Sequence, residues 1–98
     1  MAFTLIVRPE AEEDIEDSAL WYERRQQGLG ARFLYEVDQL QNRIVDAPLQ
    51  FPQIEKGVRR GLLRHFPYGT YFTNDADRIV ILAVLHLRRH PDTWRHRL

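Results

Sequence analysis

Between Leu82 and Leu98 the chain reads LAVLHLRRHPDTWRHRL, with four arginines and three histidines after an apolar run. Guanidinium groups bind carboxylate and phosphate in bidentate fashion. Imidazoles exchange protons near neutral pH. Arg88, Arg89 and His90 follow the apolar run directly, and Arg59, Arg60 and Arg64 lie on a stretch that could neighbour it. Trp94, Arg95 and His96 come a few residues later. The Trp94 ring could stack on a base or pack down as a hydrophobic anchor, and the anchor is the favoured reading. Such a cluster suits an anionic target, either nucleic acid or an acidic protein surface.

The chain as a whole is not basic. It carries 14 Lys and Arg against 14 Asp and Glu. The charge is polarised instead. Residues 1–55 hold five basic and eleven acidic side chains, and residues 56–98 hold nine basic and three acidic. Either the basic part meets an anionic partner, or the two parts attract each other within the fold.

Several chemistries are excluded. The five glycines are scattered, so no phosphate-cradling loop exists. Ser18 is the only serine and falls inside a helical pattern, so there is no nucleophile elbow. His86, His90 and His96 lack a zinc-ligand spacing, cysteine is absent, and no metal or other cofactor is expected. The carboxylates of the first helix resemble a solvated face rather than an acid–base pair. Absence of cysteine in so small a domain fits the cytoplasm. The apolar run Ile79 to Leu85 is too short to cross a bilayer. The N-terminal stretch MAFTLIVRPE lacks the basic and apolar regions of a secretion signal.

The elements that must position the basic residues are legible. Phe3 to Arg8 is β-branched and apolar, and predicts a strand ended by Pro9. Pro9 can open a helix, and Glu10, Glu12, Glu13 and Asp14 suit its positive end. Ala11, Ile15, Ala19 and Tyr22 carry that helix over 9–27. Gly28 and Gly30 permit a tight turn, and Phe33, Val37, Leu40 and Ile44 form one stripe of a second helix over 30–47. Pro48 to Gly57, with two prolines and a glycine, is expected to be a loop. Strands are expected at Val58 to Phe66, Tyr68 to Thr73 and Arg78 to His86, the last so continuously apolar that both its faces should be covered. The expectation is one α+β domain over 1–98, ordered β-α-α-β-β-β. It is a small antiparallel sheet with a helical hairpin packed on one face. Ile79, Ile81 and Leu85, or alternatively Val80, Leu82 and Val84, should face that hairpin.

RPEAEEDIED near the start, FPY at Phe66 to Tyr68 and ILAVLHLRRHP from Ile81 to Pro91 together resemble the RelE/ParE superfamily. These are the toxins of type II toxin–antitoxin modules, also known as plasmid stabilisation proteins. FPY with VLHLRR is more similar to the ParE branch. That resemblance implies a protein-binding toxin that inhibits DNA gyrase and is held in a hetero-oligomer by a cognate antitoxin of ribbon-helix-helix type. The alternative it implies is a RelE-like endonuclease of ribosome-bound mRNA. In that case Arg60, Arg64, Arg88 and Arg89 would hold the phosphate and His90 or His96 would move the proton. The C-terminal tyrosine of that branch is missing here, where Trp94, Arg95 and His96 stand. A third reading is a homologue that binds only its antitoxin and the DNA complex. The expected target-binding residues are Arg88, Arg89, Arg60, Arg64, Trp94 and Arg95.

Overall fold

The structure is a computed structural model that describes residues 3–98. Residues 1 and 2, which open the stretch read above for a secretion signal, lie outside the described residues. Two helices, α1 (Pro9–Arg25) and α2 (Leu29–Asp46), follow the strand β1 (Thr4–Val7). Four more strands complete the sheet: β2 (Gln53–Glu55), β3 (Val58–Leu62), β4 (Tyr68–Asp75) and β5 (Arg78–His86). Short 3-10 turns occupy Pro48–Gln50 and Thr93–Arg97. The sheet order is β1-β5-β4-β3-β2. The fold is α+β with the helical hairpin on one face, as expected.

Three details differ from the expectation. The sheet is mixed, because β1 pairs parallel with β5 while the other pairs are antiparallel. The long return through two helices allows this, whereas a hairpin would force the antiparallel sense. The segment Pro48 to Gly57 is not wholly loop, since Gln53–Glu55 forms an edge strand. A strand of three residues is too short to show an alternating pattern. The strand expected to reach Phe66 ends at Leu62. There the Glu36 carboxylate accepts the backbone N–H groups of Arg64 and His65, drawing the chain off the sheet towards α2.

The hairpin turn shows how local chemistry fixes the helices. Gly28 adopts φ +87°, open to glycine at little cost. The Glu23 carboxylate accepts the N–H groups of both Gly28 and Gly30, capping the start of α2. A Cβ on Gly30 would lie 2.6 Å from the Ala19 carbonyl oxygen, so only glycine lets the two helices meet this closely.

Phe33, Val37, Leu40 and Ile44 are buried against the sheet. Their partners on β5 are Ile79, Ile81 and Val84, which matches neither alternating set whole. The reason is a β-bulge. Tyr71 opposes Ala83 and Phe72 opposes Ile81, so Leu82 is an extra residue and the alternation of β5 flips there. Leu82, Ala83 and Leu85 therefore face the other side, with Tyr71, Val58 and Trp94. The 3-10 turn Thr93–Arg97 lays Trp94 over that second face. β5 is thus covered on both faces, which its continuous apolar run requires.

Candidate functional site

The end of β5 and the turn after it hold the exposed part of the basic cluster. His86 pairs across the ladder with Tyr68, and their rings meet edge to face with centroids 5.3 Å apart. The backbone N–H groups of Arg88 and Arg89 both donate to His86 Nδ1, at 3.1 and 3.2 Å. The His90 N–H donates to the His86 carbonyl. Arg89 Nη2 donates to the Tyr68 hydroxyl at 3.3 Å, and its guanidinium lies 5.2 Å from the Trp21 ring centroid. Such a cation–π contact orients the arginine without neutralising it. Arg88, Arg89 and His90 are exposed, and the described residues include no carboxylate partner for either arginine. Burial, with Arg89, Arg88 and His90 adding repulsion, holds the His86 imidazole below its ordinary value of 6.5.

Beside this end runs a cleft of about 210 Å³ between α1 and β5, with Asp14, Asp17, Ser18 and Trp21 on one wall and His86, Arg89 and His90 on the other. Arg60 approaches from the opposite face of the sheet. Its aliphatic stem lies against Gly69, where a Cβ would stand 3.0 Å from Arg60 Cδ and 3.2 Å from Leu87 Cδ2. Arg60 Nε is buried with no hydrogen-bond partner among the described residues. Gly69 thus lets Arg60 and the start of the Arg88–Arg89 turn lie side by side.

The other expected site residues are placed elsewhere. Trp94 is 2% exposed, stacks on Tyr71 at 5.7 Å and donates Nε1–H to the Pro91 carbonyl. Its ring is inside the core and has no free face for a base. Arg95 lies over Trp94 and pairs with Glu55 and Asp92 on the surface. His96 is exposed on the terminal turn, away from the cleft-lining residues. Arg64, on the β3–β4 connection, lines the α2 groove described next and not the cleft.

That groove, about 560 Å³, runs between α2 and the β3–β4 connection. Ala31, Tyr35 and Leu63 contribute apolar surface, and Arg32, Arg43 and Arg64 stand around it. Its one carboxylate, Glu36, is fully engaged: it accepts two backbone N–H groups and contacts His65 Nδ1 at 2.6 Å. Burial raises the Glu36 carboxyl, but these partners outweigh burial and hold it below 4.5. Among the described residues the three arginines have no carboxylate partner, so the groove presents net positive charge.

One residue pair was not legible in the sequence. Arg97 Nη1 and Nη2 reach the two Asp14 carboxylate oxygens at 2.6 and 3.1 Å, with both side chains largely buried. Arg97 Nη1 also donates to the Leu82 carbonyl, and Asp14 accepts the Val84 N–H. β1 ends opposite Ile81, so beyond it β5 has no neighbouring strand on that side. Asp14 and Arg97 satisfy the Val84 N–H and the Leu82 carbonyl beyond the end of β1. The Asp14 hydrogen bond raises the Arg97 pKa further. Hence one member of the acidic face of α1 and one of the terminal arginines bond to each other. A positional signal existed: Asp14 lies three residues after Ala11 and four before Ser18, on the inward stripe of α1.

Comparison with known proteins bears on this arrangement. A model described as "ParE toxin of type II toxin-antitoxin system, parDE" matches residues 5–91. The chain belongs to the ParE toxin family. Among solved structures it is similar to a chain of the "Chromosomal ParDE TA system from P. aeruginosa", with a TM-score of 0.71 and 18% identity. That match covers 87% of this chain and 96% of the other. At that identity the likeness speaks to the fold. No curated protein sequence matches. No helix among the described residues is long and apolar enough to cross a membrane.

Proposed function

We propose that this ParE-type toxin inhibits DNA gyrase through the Arg88–Arg89 surface and is neutralised by a cognate antitoxin. The observation that carries the first part is the fixed, unneutralised arginine pair at the end of a strand buried on both faces. Arg89 is oriented by Tyr68 and Trp21, with no acid partner among the described residues. A pre-set guanidinium suits a defined anionic target. Arg60, held beside the turn by Gly69, extends the same surface. The His86 imidazole has its Nδ1 occupied by two backbone donors, which favours a binding surface over a proton-transfer site there.

The α2 groove supports the second part. An acidic amphipathic antitoxin segment would set its apolar side on Tyr35 and Leu63 and its carboxylates against Arg32, Arg43 and Arg64. The groove and the Arg88–Arg89 turn involve separate residues, so antitoxin seated in the groove needs a further segment to cover the working end.

Purified toxin incubated with gyrase and supercoiled plasmid should accumulate cleaved DNA after protein denaturation. Arg88→Ala with Arg89→Ala should abolish this. No cleaved complex, together with cut ribosome-bound mRNA in a translation assay, would replace the gyrase reading with the ribonuclease one.

A further inference from the structure

We propose that His86 is a positioning residue for the working surface, its unprotonated Nδ1 fixing the backbone of Arg88 and Arg89. This inference rests on the reading that those arginines meet the target. The geometry is specific. One imidazole nitrogen accepts two consecutive backbone N–H groups, at 3.1 and 3.2 Å. A nitrogen that accepts two donors carries no proton, so the ring proton must sit on Nε2. The His86 backbone takes part as well, since its carbonyl accepts the His90 N–H. The ring is held against Tyr68, and the Tyr68 hydroxyl receives the Arg89 side chain. His86 therefore sets both ends of Arg89: its backbone directly, its guanidinium through Tyr68.

Protonation of Nδ1 would replace this acceptor with a donor facing two donors. The turn would have to open. The surroundings oppose protonation from one side and favour it from the other. Arg88, Arg89 and His90 follow it in sequence, and the Tyr68 ring of β4 packs against it. Across the cleft stand Asp14 and Asp17 of α1. Asp14 is engaged by Arg97 and the Val84 N–H, so its charge is largely committed. Burial and the arginines keep the imidazole neutral under ordinary conditions. The arrangement also makes the surface sensitive to acid, since the protonated form is incompatible with the turn.

Two variants separate the acceptor from the ring. His86→Phe keeps an aromatic contact to Tyr68 and removes the acceptor. His86→Asn offers Oδ1 where Nδ1 stood and cannot be protonated in this range. In nitrogen-15 spectra of the isolated toxin, the Arg88 and Arg89 amides should shift together with the His86 ring as pH falls below 6.5. In His86→Asn those amides should keep their shifts across the same range. When the variants are expressed without antitoxin, His86→Phe should raise colony survival about tenfold or more with a cooperative melt, as loss of a pre-set surface implies. His86→Asn should kill as the parent does. Arg88 and Arg89 amides that ignore the His86 titration would overturn the inference, as would full killing by a folded His86→Phe. Arg88→Ala with Arg89→Ala, run beside them, isolates the underlying reading. If that double variant still kills, the target surface is elsewhere; if it is inactive while His86→Phe kills, only the role of His86 fails.

Discussion

Residues 86–90 and residues 93–97 share a composition of arginine and histidine and lie a few positions apart, yet the fold uses them oppositely. The first group turns outward. Arg88 and Arg89 are exposed, and Arg89 is steered by an aromatic ring and a hydroxyl rather than by a carboxylate. The second group is tied back onto the fold. Trp94 closes the core of the second sheet face, Arg97 is sealed against Asp14, and Arg95 is held by Glu55 and Asp92. Positive charge in sequence does not reveal its direction. What decides it is whether the backbone places an acid within reach, as α1 does with Asp14, the β2 edge with Glu55 and the terminal turn with Asp92. Attraction between the two parts of the chain therefore accounts for Arg95 and Arg97, and an anionic partner for Arg88 and Arg89 is the proposal made above.

The comparison can be broken from its structural side first. Trp94→Ala should destabilise the protein most, by about 3–5 kcal/mol, because a buried ring is lost from a covered sheet face. Urea unfolding would measure it, and a loss below about 1 kcal/mol would mean the terminal turn is not part of the core. Arg97→Ala should follow at about 3 kcal/mol, since it leaves Asp14 partly buried without its cation and the Leu82 carbonyl unpaired. A double-mutant cycle with Asp14→Ala should return a strong coupling, and additive effects would contradict a direct bond.

Glu36 gives a smaller and pH-dependent effect. Its carboxyl is held below 4.5 in the folded protein, so the stability it supplies is complete above 4.5 and is lost as pH falls through the lower folded value. Glu36→Gln should cost about 1 kcal/mol at neutral pH and flatten the acid limb of the stability curve. An unchanged acid limb would show that the capping of Arg64 and His65 is not ionic. Arg95→Ala should be the weakest, within about 0.5 kcal/mol, because its ion pairs are on the surface. A larger loss would mean that Arg95 is held as firmly as Arg97.

How much of this the sequence discloses depends on the range of the signal. The helices, the buried stripe of α2 and the central strand β5 are periodic patterns, and they are legible. The α+β fold with its hairpin follows from them. The faces of β5 beyond Ile81 are not legible, because a bulge is set by pairing with β4 and leaves no mark in the alternation. The strand Gln53–Glu55 is too short to carry a pattern. Arg88 and Arg89 can be placed at a strand end from sequence alone, but their acceptor, His86 Nδ1, appears only when the turn is built. The bond from Asp14 to Arg97 spans nearly the whole chain, and no local pattern couples those positions.

The most direct test compares Arg88→Ala with Arg89→Ala against Arg97→Ala in the same two assays: colony survival without antitoxin, and thermal melting followed by circular dichroism. The double variant should melt within about 0.5 kcal/mol of the parent, as exposed substitutions do, and should no longer kill. Arg97→Ala should melt earlier and retain killing at temperatures where it is folded. A folded double variant that kills as well as the parent would contradict the division of the basic cluster into a working part and a structural part.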